Sequence, residues 1–254
     1  MQLSVRTVRP ASIRSLTGVS DKQLGELISK LWARRPDRRR GRPWALSFPD
    51  RVLLCVFGYR TNLTFEQLAA LFGVSDSTVH RVIDDLTPHL AALLGPPPAD
   101  RRELWIVDGT LVPVRDRSRT GKSKNYRRSV NVQVVSRYRD RRICAVGNAW
   151  PGNRNDSVVY RDTVMGVCVD HGRVIGDGGY RSCPGVTSPA RGPDQRIIRD
   201  SAHRRFVKKR ARAEHSIELL KQFRVLRDCR RRGDTIDQIT KATAALVNLR
   251  LGCL

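Results

Sequence analysis

The chain has 254 residues, 40% of them hydrophobic, and its 48 Lys and Arg against 24 Asp and Glu give a formal charge of +24. That apolar content excludes a disordered tail and allows one large domain, or a small one followed by a medium one. A positive excess of this size repels itself in the folded state, and a polyanion such as DNA or RNA is what offsets it. Arginine makes up 40 of the 48 basic residues. A GC-rich genome explains Arg over Lys, but it does not explain the shortage of acids. The six cysteines contain no Cys-x-x-Cys pair, which argues against a zinc finger and against a disulfide framework. The N-terminus lacks the apolar run of a signal peptide, and no stretch approaches the roughly 18 apolar residues of a membrane span. A soluble, cytoplasmic, reduced protein is expected.

In chain order, Asp21 to Trp32 places Leu24, Leu27, Ile28 and Leu31 at helical spacing. The basic run from Arg34 to Arg42 reads either as an arm that grips phosphate or as a solvated linker. Arg51 to Tyr59 is a compact apolar helix. Thr64 with Gln67 three residues later makes a capping box, Gly73 supplies a turn, and Ser75 caps a second helix. Val79, Val82, Ile83 and Leu86 form one apolar face of that helix and leave Ser77, Thr78, His80 and Arg81 for a partner. Two short helices around a glycine turn predict a helix-turn-helix at about 64–87, whose second helix enters the major groove. The plainer alternative is a helical hairpin. Asp84 and Asp85 favour it, because they would face phosphates if they lay in the groove.

Gly95-Pro96-Pro97-Pro98 ends the helical part, since three prolines form a stiff extended spacer. Residues 1–95 then read as a helical DNA-binding domain and 99–254 as a larger and more basic one. Leu104 to Asp108 is a short apolar strand ending in an acid, and Leu111 to Val114 either extends it or pairs with it. Ser129 to Val135 alternates at period two, Ile143 to Val146 is a further strand, and Asp156 to Met165 reads as a helix. Arg173 to Asp177 is another short strand with an acid at its end. Helices over His203–Phe223 and Thr235–Leu251 close the chain. The mixture predicts an α/β fold, a mixed sheet covered by helices.

The placement of the acids needs a reason in a chain so poor in them. Asp108 and Asp177 each end an apolar strand and precede glycine, and the carboxyl ends of strands are where open α/β sheets bind ligands. On the helix from His203, Phe206, Ala213, Ile217 and Leu220 form the apolar stripe, and Arg210, Glu214 and Lys221 fall together along its edge. Glu214 reads either as half of an i to i+4 ion pair with Arg210 or as a metal ligand. Converging carboxylates repel one another unless hard divalent cations neutralise them, and two such ions are the usual means of cleaving a phosphodiester.

Four motifs then occur in order: Val107-Asp108-Gly109-Thr110, Pro151 to Ser157 with Asp156 inside it, Gly176-Asp177-Gly178-Gly179-Tyr180, and Arg210 with Glu214 and Lys221. Together they resemble the DDE transposases of bacterial insertion sequences, in the branch related to PIF/Harbinger elements, over nearly the whole chain. Val207 is a departure, since many relatives carry Tyr there. The resemblance implies an RNase H-like catalytic domain, with Asp108, Asp177 and Glu214 as catalytic acids. These three and Asp156 would hold the metal, Mg²⁺ with Mn²⁺ as a substitute. It further implies double-stranded DNA as partner, at the element's inverted-repeat ends and at a target. Cleavage is followed by strand transfer in a complex with at least two copies of the chain, on the bacterial nucleoid. Arg210 and Lys221 match the basic positions flanking the catalytic Glu. Lys122, Lys124, Arg127 and Arg128, between the first two strands, are candidates for gripping phosphate. Two other readings stay open: an inactive remnant that binds DNA without cutting, and an RNase H-like nuclease that cuts without joining.

Overall fold

A computed structural model describes residues 4, 10–34, 43–122 and 128–254. Most of the basic run, residues 35–42, lies outside these, as do Lys124 and Arg127. In chain order the helices are α1 (Pro10–Thr17), α2 (Asp21–Ala33), α3 (Phe48–Thr61), α4 (Phe65–Phe72), α5 (Asp76–Ala92), α6 (Asp156–Thr163), α7 (Met165–His171), α8 (Ser201–Lys221) and α9 (Thr235–Arg250). The strands are β1 (Trp105–Pro113), β2 (Gly121–Lys122), β3 (Arg128–Arg137), β4 (Ile143–Val146), β5 (Trp150–Pro151), β6 (Val174–Ile175) and β7 (Val186–Thr187).

Two compact units emerge. One gathers the chain up to Leu94 with Lys221–Asp228 and Gln238–Leu254; the other holds Gly95–Leu220 and Cys229–Asp237. The first cut falls at the proline stretch. The C-terminal segments return to the helical unit, whereas the sequence reading had placed everything after residue 99 in one domain. The side chains that bring them back are specific. Gln23 donates to the carbonyl of Leu249 (2.8 Å), Arg60 to that of Gln222 (2.6 Å), and Asn62 to that of Asp228 (2.9 Å).

Within the helical unit α3 is the centre, buried from Val52 through Phe57 on all sides. The motif at 64–87 folds as its local chemistry dictates. Thr64 Oγ1 accepts from the Gln67 amide (3.2 Å) while Gln67 Oε1 accepts from the Thr64 amide (2.9 Å), closing the box that starts α4. Gly73 takes a left-handed conformation (φ +65°) that suits glycine, and Ser75 Oγ accepts from the Thr78 amide (3.3 Å) to start α5. Val79, Val82, Ile83 and Leu86 are buried, and Ser77, His80 and Arg81 are exposed. Thr78 differs from expectation. It is only 7% exposed, with its hydroxyl 3.0 Å from Ser75 Oγ, so the helix cap takes the group that was expected to face a partner. Ser75→Ala is therefore expected to cost about 1 kcal/mol of stability, read from the urea midpoint. Of the two acids that weigh against a DNA-facing helix, one is withdrawn from the surface and the other stays exposed. Asp85 is turned into the core 4.0 Å from Arg51, whose guanidinium lies over Trp44 and Phe48, and Asp84 pairs with His80 at 2.8 Å.

The other unit is built on a mixed sheet of order β2-β3-β1-β6-β7, with β4 and β5 also pairing to β3. β1 runs antiparallel to β3 over its whole length and parallel to β6, which is parallel to β7. Leu104–Asp108 and Leu111–Val114, read as two segments, are one strand, and Asp108 sits within it rather than at its end. The helix expected over Asp156–Met165 breaks at Val164 into α6 and α7. On one face of the sheet Trp105, Val107, Val135 and Val174 pack with Tyr160 of α6 and Cys168 of α7; on the other Ile106 and Ile175 pack with Ala213 and Phe206 of α8. This is the α/β fold that was predicted, a mixed sheet with helices on both faces, preceded in the chain by helices. Among the described residues no helix is long and apolar enough to cross a membrane, and all six cysteines are free thiols.

Candidate active site

Strand alternation decides which acids meet. Trp105 pairs with Val174 and Ile106 with Ile175, so the same register carried two residues further sets Asp108 beside Asp177. Asp177 keeps an extended backbone (φ −74°, ψ −173°), which lets the register continue past the end of β6. Both aspartates then fall on the face of Ile106 and Ile175, the face covered by α8. Glu214 stands on that helix one residue after the buried Ala213. Arg210, one turn earlier, joins the elements: its Nη1 is 3.5 Å from Asp108 Oδ2 and its Nη2 is 3.0 Å from Glu214 Oε1. The i to i+4 pair foreseen between Arg210 and Glu214 is present, and it also reaches the sheet.

The electrostatics reflect this crowding. Burial pushes the Asp108 carboxyl up to about 6; Arg210 opposes the shift, and the negative charges of Asp177 and Asp156 add to it. Burial also raises the Tyr180 phenol, as do the charges of Asp156, Asp108 and Asp177. Asp177 Oδ1 accepts from the amide of Gly179 (2.8 Å), which fixes the carboxylate over the 3₁₀ turn Gly178–Tyr180.

Asp156 is placed differently from the other three. A Cβ built on Gly109 would lie 2.0 Å from Asp156 Oδ1, on the face opposite the Asp108 side chain. The glycine is therefore a window through which α6 presses against β1. Asp156 Oδ1 accepts from Asn131 Nδ2 (2.8 Å) and Gln133 Nε2 (3.0 Å), and Tyr180 donates its hydroxyl to Gln133 Oε1. The structure does not bring Asp156 onto the α8 face, where the expected metal ligands gather. It is instead the charged end of a buried network directly behind Asp108. Asn131 and Gln133 were missed as site residues. They alternate with valines along β3, and they are 4% and 0% exposed.

Among the described residues no three His, Cys, Asp or Glu side chains stand close enough together to enclose a metal ion. The donor chemistry nevertheless fits a hard divalent cation. Asp108 and Asp177 offer only oxygen, the donor that such a cation prefers.

Of the basic residues singled out in the sequence, Lys122 and Arg128 are exposed and directly opposite each other where β2 meets β3. Lys221, the last residue of α8, belongs to the helical unit, where burial and the nearby Arg227 lower its pKa.

Two family models match the chain. Residues 44–96 match the model described as "Helix-turn-helix of DDE superfamily endonuclease", and residues 107–248 match "DDE superfamily endonuclease". A protein of Streptomyces albus G described as "Putative transposase for insertion sequence element IS112" is 39% identical over 251 residues, covering 95% of this chain and 96% of that one. The chain belongs to the DDE superfamily of endonucleases, among the insertion-sequence transposases that carry their own N-terminal helix-turn-helix.

Proposed function

We propose that the chain binds the inverted-repeat ends of its element through α4 and α5, cuts the DNA there, and joins the freed 3′ end to a target. The observation that carries this reading is the alignment of Asp108 and Asp177 on one sheet face under the Arg210–Glu214 pair of α8. A divalent cation held by Asp108, Asp177 and Glu214, Mg²⁺ or Mn²⁺ in its place, would activate the attacking water or 3′-hydroxyl and stabilise the leaving oxygen.

The chain's own residues prepare that chemistry. Burial, and to a lesser degree the charge of Asp177, disfavours the Asp108 carboxylate, and a bound cation would offset that. Arg210 links Glu214 on α8 to Asp108 on the sheet, and its positive charge sits where a scissile phosphate would lie. Lys122 and Arg128 face each other across two strands, an unfavourable pairing of like charges that a phosphate between them would reverse. Ser77, His80 and Arg81 supply exposed polar groups at the start of α5 for reading base edges or phosphates. Two ends must be held at once, so the active complex contains at least two copies.

The test uses a plasmid carrying the DNA that flanks the gene, with Mg²⁺ or Mn²⁺, compared with EDTA and with Asp177→Asn. The variant keeps an oxygen to accept from Gly179. Metal-dependent breaks at the repeat ends, lost in the variant, are the expected result. Tight binding without breaks would indicate a DNA-binding remnant, and breaks indifferent to the ends a plain nuclease.

A further inference from the structure

Between β7 and α8 the chain forms a small hairpin that none of the site residues above explains. Arg191 bridges to Ile197, the Ile198 amide donates to the Ala190 carbonyl (3.0 Å), and the Gly192 amide donates to the Arg196 carbonyl (2.9 Å). Asp194 Oδ1 accepts from the Arg196 amide (3.0 Å) and closes the tip. The hairpin is rooted on the turn that carries Asp177. Ser188 Oγ donates to the Asp177 carbonyl (3.0 Å), Arg191 Nη2 lies 3.7 Å from the Cβ position of Gly178, and Arg181 donates to Gln195 Oε1 (2.6 Å).

Its surface combines two chemistries. Arg181, Arg191, Arg196 and Arg199 are exposed, and between them Ile197 and Ile198 are 36% and 45% exposed. An open depression of about 640 Å³ lies against Arg191, Arg196, Ile197, Ile198 and Arg199. Four guanidinium groups suit a polyanion, but phosphates cannot cover two isoleucines. The faces of nucleobases can, and they become available only where a base step is unstacked, as when apolar side chains wedge into a duplex.

We propose that the 188–199 hairpin is a wedge that opens double-stranded DNA beside the phosphodiester held at Asp177. Ile197 and Ile198 lie against the faces of unstacked bases, and the surrounding arginines hold the flanking phosphates. This rests on the reading of the chain as a DNA-cutting transposase. It adds a DNA-distorting element next to the reaction centre, distinct from the helix-turn-helix that reads the ends.

The experiment uses the full chain and a duplex spanning one end of the element with its flank. In EDTA, permanganate reports unstacked thymines. The wild type is expected to create reactive thymines beside the cleavage site, and the double variant Ile197→Ser/Ile198→Ser to leave them at the level of free duplex. Binding by both proteins should agree within about threefold, because exposed residues on a hairpin contribute little to end recognition. With Mg²⁺, the variant should cut the paired duplex at least about tenfold more slowly, since unstacking one step is worth more than a factor of ten. It should recover wild-type rates on a duplex mismatched at the junction. A variant that distorts and cuts paired DNA like the wild type overturns the wedge, as does a wild type that cuts without distorting. A variant that loses self-association in sedimentation would assign the hairpin to a protein interface and also overturn it. Failure of the wild type to cut either duplex would instead reject the transposase reading itself.

Discussion

Asp108→Asn is expected to lower cleavage on the order of 10²–10³-fold or more and, at the same time, to stabilise the metal-free protein at pH 7. The loss of activity follows because the amide brings no charge to a cation or to the face shared with Asp177. The gain in stability follows from linkage. In the unfolded chain the carboxyl has its ordinary value of 3.8, and in the folded protein burial raises it to about 6. The folded state therefore binds the proton more tightly. Below about pH 3 both states are protonated and the group costs nothing. As pH rises from 4 to 6 the unfolded chain ionises first, and stability falls by an amount that levels off above 6. A difference of about two pKa units corresponds to about 3 kcal/mol, an upper figure for a carboxylate whose side chain is 18% exposed. Asn removes that loss, so the melting temperature should rise by several degrees at pH 7, given 2–4 °C per kcal/mol for a chain of roughly this size. No rise is expected at about pH 3, where both states are protonated. Calorimetry at the two pH values decides the matter. A variant less stable than wild type at pH 7 would mean that the Arg210 contact outweighs the burial of the charge.

The second large effect is expected at Gly109. Adding one methyl there drives a carbon to 2.0 Å from Asp156 Oδ1 and 2.8 Å from Gln133 Nε2, so the network behind the site must move. Overpacking of this kind costs about 1–3 kcal/mol. The displacement falls on the residue next to Asp108, and Gly109→Ala is expected to lose cleavage on the order of 10²-fold, as small misplacements in catalytic sites do. Asp156→Ala removes the clashing carboxyl. The double variant should therefore be more stable than the sum of the two single changes predicts, a coupling that denaturant titration measures directly. Asp156→Asn separates two roles for this acid. An amide oxygen can still accept from Asn131 and Gln133, so a positioning group should tolerate the change within about tenfold, whereas a metal ligand should lose as much as Asp108→Asn. Equal losses at the two positions would put Asp156 among the ligands.

These residues also mark what was readable in advance. The helix-turn-helix was legible almost atom by atom, because caps, a left-handed glycine and a 3.6-residue apolar face are local properties of Thr64 to Leu86. The order of the acidic motifs was legible too, because Asp108, Asp156, Asp177 and Glu214 each lie in a short local pattern. Thr78 was misread because spacing along a helix says which face a residue lies on, but not that a neighbouring cap will bury it. Asn131 and Gln133 did not stand out because period-two spacing says which residues share a strand face, but not which element packs on that face.

What the sequence by itself determined is the local structure and the chemical inventory: the charge that calls for a polyanion, the helices with their caps, and the acids in their order. The tertiary structure alone decided which of those acids share a face. That choice depends on the parallel pairing of β1 with β6, contacts between residues some seventy positions apart, and on α6 and α8 covering opposite sides of the sheet. Long-range pairing and layer placement leave no periodic trace in the chain. Asp156 and Asp108 thus look like equal partners in the sequence, and in the fold a glycine-thin strand separates them.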